Sequence, residues 1–151
     1  MTSSDSPFPD AVLLDLPART RTEVLKALAA RAAEIGAGTS TALHRALAER
    51  EALGGTGVGS GVALPHATIA DLAAPVVLFA RLARPLDWQA IDDRPVDLVV
   101  AVLSPGGGVA PGAGMLARLA RRLRREDTRA LLRRGTETEE SLSLRLANAS
   151  H

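Results

Sequence analysis

An imidazole titrates near pH ~6.5 and so offers an unprotonated nitrogen lone pair at neutral pH. The chain has three histidines, His44, His66 and His151, and only His66 has neighbours whose types suggest chemistry. It closes the run GGTGVGSGVALPH, Gly54 to His66, which holds five glycines. Glycines at 55, 57, 59 and 61 lack a Cβ and tolerate positive φ, so their amides can approach a dense anion closely. Pro65 fixes the backbone before His66 and limits the wander of the ring. Arg50 ends the segment before the run and has the planar fork that pairs bidentately with phosphate oxygens, while Thr56 and Ser60 add hydroxyl donors. These residue types suit phosphoryl transfer: His66 as acceptor, Arg50 as phosphate stabiliser, and Thr56, Gly57, Gly59, Ser60 and Gly61 as a phosphate-binding loop. A glycine-rich turn with no chemistry is equally compatible with the residues taken alone.

Competing motifs fail on spacing. No Gly-Lys-Ser/Thr follows the run, so it is not a Walker A loop, and its alternate-residue glycines do not give GxGxxG. Ser60 lies directly between Gly59 and Gly61, which is not a nucleophile elbow. A metal at His66 would need further ligands, and His44 and His151 are not at ligand spacing, so no metal or other cofactor is expected.

The elements that must hold His66 follow from the apolar pattern. Val12-Leu13-Leu14 reads as a short strand. Thr20 or Thr22 can cap a helix to about Ile35 with Val24, Leu25 and Leu28 inward, ended by Gly36 and Gly38. Thr39 or Ser40 opens a second helix with Leu43, Ala46 and Leu47 as its apolar stripe, stopped at Gly54-Gly55. Residues 76–82 and 96–103 read as buried strands bounded by prolines, with a turn-rich connection from Pro85 to Pro95. An amphipathic helix is expected from about Ala113 to Arg125, then short helices near 127–133 and 137–146. Helices before, between and after strands predict an α/β fold: a single-domain α/β/α layered sandwich with a mixed central sheet and helices on both faces. The domain is expected over residues 11–147, with a loose tail at 1–10 and a frayed end at 148–151.

Composition narrows the function classes. Lys+Arg 18 against Asp+Glu 17 gives no global field to attract nucleic acid or an anionic membrane. Aromatics are 2% (Phe8, Phe79, Trp88), too few for base-stacking platforms. Cysteine is absent, which removes disulfides and thiolate chemistry and suits a reducing compartment. No apolar run approaches the ~20 residues of a membrane span, and residues 1–10, without a basic or an apolar stretch, do not read as a signal peptide. A soluble, cytoplasmic domain is expected.

Arg50-Glu51 followed by GGTGVGSGVALPH, and then PLDWQAIDDRPVDLVVAVLSP from Pro85 to Pro105, resembles the enzyme IIA domains of the fructose/mannitol/nitrogen-regulatory class of the sugar phosphotransferase system. The resemblance covers about Leu13 to Leu146. It implies that His66 accepts a phosphoryl group from a histidine-containing phosphocarrier protein, with Arg50 beside it, and that a downstream regulatory or permease protein responds. Three departures accompany it: Ala67 where the family usually has glycine, Ser60 where asparagine is common, and no second histidine between Gly106 and Met115, where Gly112 stands nearest the expected place. The first two are mild; the missing second histidine leans the expectation toward the nitrogen-regulatory branch and toward accepting phosphate more than forwarding it. A sugar-specific IIA, or an interaction module that has lost phosphotransfer, are the alternatives.

Other features take plainer readings. His44 is read as a structural histidine of its helix. Arg118, Arg121, Arg122, Arg124, Arg125, Arg129, Arg133 and Arg134 read as a solvated helix face without aromatic interleaving, balanced by Glu137, Glu139 and Glu140. Asp92, Asp93 and Asp97 read as turn and strand-end aspartates that bond local backbone, and Trp88 as a buried cover over the connection between strands.

Overall fold

The computed structural model describes residues 9–106 and 113–134; residues 1–8 of the tail expected at 1–10, the end expected to fray at 148–151, the helix expected at 137–146 and position Gly112 lie outside them. Asp10, expected in the loose tail, is instead held to Val77 by two bonds of 2.7 Å. Ten elements follow in chain order: β1 (Ala11–Leu16), α1 (Arg21–Glu34), α2 (Ser40–Leu53), β2 (Gly57–Gly59), β3 (Val62–Ala63), β4 (His66–Ile69), β5 (Val76–Leu86), β6 (Val96–Pro105), α3 (Ala113–Leu123) and α4 (Glu126–Arg133).

The helix starts are set by side-chain caps. Thr20 accepts a bond from the Glu23 amide at 3.1 Å, which satisfies one of the orphan donors of α1, and the Glu23 carboxylate reaches back past the cap to the Arg19 amide at 3.4 Å. Thr39 accepts from the Ala42 amide at 3.2 Å at the start of α2. Gly36, at φ +92°, takes the left-handed position after α1 that a side chain would resist.

The six strands make one mixed sheet. Along its main path the order is β1-β5-β6-β3-β2, and β4 also pairs with β6. β1 runs parallel to β5, β5 antiparallel to β6, and β3 and β4 lie in succession along the other edge of β6, both parallel to it. Strand alternation divides the core into two. Leu78, Ala80, Leu82, Val99, Ala101 and Leu103 point to α1 and α2, where they meet Val24, Leu28, Leu43 and Leu47. Val77, Phe79, Leu98, Val100 and Val102 point the other way, to Leu119 and Leu123 of α3 and Leu132 of α4. The period-2 pleat thus puts helices on both faces of the mixed sheet, the layered α/β/α arrangement anticipated from the order of elements. Each fully buried Leu or Phe contributes about 1.5–3 kcal/mol.

One buried charge belongs to this second face. Arg81 is 5% exposed; its Nη1 donates to the carbonyls of Leu132, at 3.2 Å, and Arg134, and its Nη2 faces Asp15 at 3.5 Å. The guanidinium thereby satisfies carbonyls at the C-terminal end of α4, and those partners offset the cost of burying it.

The observed elements depart from the pattern-based expectation at the glycine run and at β5. The run folds into β2, β3 and the start of β4, strands of two to four residues too short to leave an alternation signal. β5 continues through Pro85 to Leu86, where the sequence implied a connection; the register shifts between Arg81 and Leu86, and a proline that cannot donate is tolerated at such an irregularity. α3 ends at Leu123, two residues before the expected Arg125. Trp88 is wholly buried, as its assigned covering role requires.

The turn between β2 and β3 has Ser60 at φ 58° and Gly61 at φ +81°, the two successive positive values of a type I′ hairpin turn. Its amide donates to Asp92 Oδ2 at 2.9 Å, and its carbonyl accepts from Arg133 Nη2 at 2.9 Å. Arg133 also grips both carboxylate oxygens of Asp97 at 2.8 Å. Asparagine occupies left-handed positions more readily than serine, so Ser60→Asn is expected to stabilise the protein by about 0.5–1 kcal/mol in urea unfolding, with an unchanged m-value. Bonds from the Ser60 and Arg94 amides hold the Asp92 carboxyl below its ordinary pKa. A depressed folded-state pKa adds stability above the unfolded value and loses it as pH falls through the folded one. The stability gap between wild type and Asp92→Asn should therefore be widest at neutral pH and close on acidification; a gap that stays constant down to pH ~2 would remove this role for Asp92.

Candidate functional site

His66 opens β4 and is paired in register with Val102 of β6, and the Val102 amide bonds the Pro65 carbonyl at 3.0 Å. The backbone on which the imidazole stands is thus stitched to the central strand. Across from it, α2 presents Ala46, Glu49, Arg50 and Leu53, spaced i, i+3, i+4 and i+7 and so on one helical face. With His66, Ala67 and Thr68 they line a cleft of about 320 Å³. His66 and Thr68, two residues apart on a strand, share a face of it. Ala46, expected in the apolar stripe of α2, is only partly buried and serves as a wall of this cleft.

Both ring nitrogens of His66 are engaged. Nδ1 lies 2.9 Å from the Leu64 carbonyl oxygen. A carbonyl can only accept, so Nδ1 carries the proton and Nε2 keeps its lone pair. That lone pair faces Arg50, whose Nε donates to Nε2 at 3.2 Å. Arg50 is itself braced, since its Nη1 donates to the Gly54 carbonyl at 2.8 Å. A neutral imidazole with a defined tautomer, its nucleophilic nitrogen aimed at a guanidinium across an open cleft, is equipped to attack an anionic electrophile and to meet the oxygens of the group it receives.

Of the seven residues singled out from the sequence, the structure brings together His66 and Arg50. It places the glycine run elsewhere. Thr56 is buried, with its amide and hydroxyl both spent on the Glu51 carboxylate, at 2.9 and 2.6 Å, so it has no free donor for phosphate. Gly57 and Gly59 belong to β2, and Ser60 and Gly61 to the hairpin turn. β3 pairs with β6 at Leu98, four residues before Val102, which puts the hairpin roughly 13 Å along the strand from His66. The glycines serve close packing and turn geometry: a Cβ on Gly57 would come within 2.8 Å of Ala90, and Ser60 and Gly61 need positive φ.

Glu51 enters the sequence reading only as the partner of Arg50 in the Arg50-Glu51 pair, without a role of its own. Its carboxylate is almost wholly buried and also accepts from Trp88 Nε1 at 3.2 Å, with Arg21 Nη1 3.6 Å away. Its signal in the sequence was an acidic residue beside Arg50 at the end of an apolar-striped helix, with the chain's lone tryptophan elsewhere in need of an acceptor. His44 is remote from this chemistry in role: it does not line the cleft, and its Nε2 is buried without a partner among the described residues. The described residues contain no cluster of three or more metal-ligating side chains and no helix long and apolar enough to cross a membrane.

A histidine with a fixed tautomer beside a braced arginine stands on the edge of a mixed sheet between helical layers, in a small α/β domain. Residues 8–146 match the family described as phosphoenolpyruvate-dependent sugar phosphotransferase system, EIIA 2, and the chain belongs to that family. It is 40% identical over 139 residues to a nitrogen regulatory protein of Bradyrhizobium diazoefficiens, covering 92% of this chain and 91% of that one. Among solved structures, the nitrogen regulatory protein IIA-Ntr from Neisseria meningitidis superposes with a TM-score of 0.78 at 23% identity, covering 90% of this chain and 92% of that one. IIA mannitol from Escherichia coli gives a TM-score of 0.76 at 19% identity, over 97% and 99%. These two share the fold.

The ring assignment is open to direct measurement. The neutral ring of His66 should show Nδ1 protonated and bonded and Nε2 unprotonated in long-range ¹H–¹⁵N correlation spectra. The reversed pattern would remove the Leu64 contact from the account of the site.

Proposed function

We propose that the chain is a phosphohistidine carrier of the phosphotransferase system with a nitrogen-regulatory output. His66 Nε2 accepts the phosphoryl group from a histidine-containing phosphocarrier protein. The observation that carries this reading is the pair of bonds on the His66 ring, Nδ1 to the Leu64 carbonyl and Arg50 Nε to Nε2.

The chemistry follows from those bonds. The Nε2 lone pair attacks phosphorus in line with the donor's N–P bond, and that bond's electron pair returns to the donor imidazole. The Nδ1 proton stays on the His66 ring, which becomes a cation whose N–H remains on the Leu64 carbonyl. Arg50 Nε then has no lone pair to bond at Nε2 and turns its donors to the phosphoryl oxygens, while the Thr68 hydroxyl on the same face is a further donor within the cleft. The transfer places roughly −2 charge and three acceptor oxygens at the mouth of the cleft, next to the Glu49 carboxylate and the 85% exposed Leu53. A surface that changes charge so sharply beside an exposed apolar side chain can present different faces to a partner before and after transfer.

The nitrogen-regulatory output rests on the likeness to the Bradyrhizobium protein over nine-tenths of both chains. A sugar-specific role is the second reading, supported by the family's description as part of the sugar phosphotransferase system. The two differ in the recipient. The three histidines of the sequence include none between Gly106 and Met115, which suits a protein read by its phosphorylation state better than one that forwards its phosphate.

Incubation with phosphoenolpyruvate, the general phosphotransferase enzyme and the phosphocarrier should label wild type with acid-labile, base-stable phosphate located on Nε2 by ³¹P–¹⁵N coupling, and His66→Ala should take up none. Folded wild type that stays unlabelled by its cognate donor would overturn the reading. Arg50→Ala should slow labelling about 10²-fold, the usual effect of removing one preorganised donor from a transferring group, with little change in melting temperature.

A further inference from the structure

Two chains of hydrogen bonds leave the His66 ring, and both end on one residue. From Nδ1 the first runs to the Leu64 carbonyl at 2.9 Å. The Leu64 amide donates to the Thr56 carbonyl at 2.9 Å, and the amide and hydroxyl of Thr56 both donate to the Glu51 carboxylate, at 2.9 and 2.6 Å. From Nε2 the second runs to Arg50 Nε at 3.2 Å and from Arg50 Nη1 to the Gly54 carbonyl at 2.8 Å. Gly54 is held on its N-terminal side by its amide bond to the Glu51 carbonyl at 3.3 Å. On its C-terminal side it is held by Thr56, two residues on and locked to the Glu51 side chain. Residues 51–56 therefore form a closed ring, sealed by the Glu51 carboxylate, from which both the acceptor of the Nδ1 proton and the brace of Arg50 are suspended.

Resting on the reading of His66 as the phosphoryl acceptor, we propose that Glu51 is the positioning residue of the site. It holds the Leu64 carbonyl and Arg50 on opposite sides of the imidazole, and so sets both the tautomer and the aim of Nε2. Its burial and its further bond to Trp88 Nε1 at 3.2 Å make the carboxylate a fixed point, because a charged acceptor with several donors in a dry setting has one favourable geometry. Glutamine fills the same space but offers one acceptor oxygen where the carboxylate offers two, and its NH2 faces donors already present. The ring of residues 51–56 then loosens without a change in volume.

The test separates positioning from plain stability. In Glu51→Gln, ¹⁵N spectra should show His66 populating both tautomers, and labelling by the phosphocarrier should lose roughly 10- to 100-fold in kcat with KM for the donor nearly unchanged, since the misplacement acts on the transfer step. Thr56→Val, which removes only the hydroxyl bond, should move both readouts in the same direction by less, and Thr56→Ser should restore them; this pair decides the matter if Glu51→Gln fails to fold. Val24→Ala in α1 serves as the control for general destabilisation, with a lower melting temperature and wild-type tautomer and kcat. Folded Glu51→Gln and Thr56→Val proteins with a single wild-type tautomer and wild-type kcat would overturn the proposal. If wild type itself takes no label, the phosphocarrier reading fails, and the tautomer comparison still decides whether Glu51 positions the ring.

Discussion

The bond from His66 Nδ1 to the Leu64 carbonyl, 2.9 Å long, is the constraint on which the site depends. A carbonyl oxygen has no proton to give, so this contact decides which nitrogen of the neutral ring is protonated and leaves the lone pair on Nε2. The contact spans only two residues, and Pro65 stands between them. A proline fixes φ and gives up its own amide, so the turn from Leu64 to His66 has little freedom, while the Pro65 carbonyl still takes the Val102 amide of the central strand. The imidazole is thus aimed by backbone that the sheet itself holds in place.

The sheet order explains why this arrangement sits where it does. β3 and β4 share one edge of β6, and the chain passes from one to the other through Leu64 and Pro65. α2 lies against β4 with its C-terminal turn beside the histidine. Arg50 comes from that last turn, three residues before the helix end, so its guanidinium can reach both Nε2 and the Gly54 carbonyl. A cation in the last turn of a helix is also favoured by the carbonyl end of the helix dipole. The same residue therefore helps to end the helix and to complete the cleft.

How much of this was legible in the sequence depended on the range of the signal. The long buried strands 76–82 and 96–103 and the burial of Trp88 follow from local composition and periodicity, and each has its counterpart in the structure; the sequence narrows the helix starts to Thr20 or Thr22 and to Thr39 or Ser40, between which the fold chooses Thr20 and Thr39. His66 and Arg50 could be paired because a short segment, anchored at a helix end and at a proline, joins them. The glycine run misled in a particular way. Glycine permits close backbone approach to a phosphate and to another strand alike, and the residues alone do not say which. In the fold the close approach is to Ala90 at Gly57, and positive φ serves the turn at Ser60 and Gly61. Glu51 was hidden for another reason. Its importance lies in partners at Thr56, Trp88 and Arg21, two of them more than 25 positions away, and its place beside Arg50 at a helix end marks the residue without naming those partners.

The distribution of buried charge gives these details a common logic. Desolvating a carboxylate or a guanidinium is costly unless several partners meet it, so a chain retains such groups where their geometry matters. Two are prominent among the described residues: Glu51 beneath the His66 cleft and Arg81 under the end of α4. Arg81 collects carbonyls of a helix end, which fixes a layer of the sandwich on one face of the sheet. Glu51 collects donors from a loop and a tryptophan, which fixes the few residues on which His66 and Arg50 depend on the other. An apolar residue at position 51 would fill the space but leave the Thr56 amide and hydroxyl and the Trp88 indole without an acceptor, and the Leu64 carbonyl would lose the part of its anchoring that runs through Thr56. The buried carboxylate is therefore the link between the packing of the α2 face and the protonation state of the histidine at its edge.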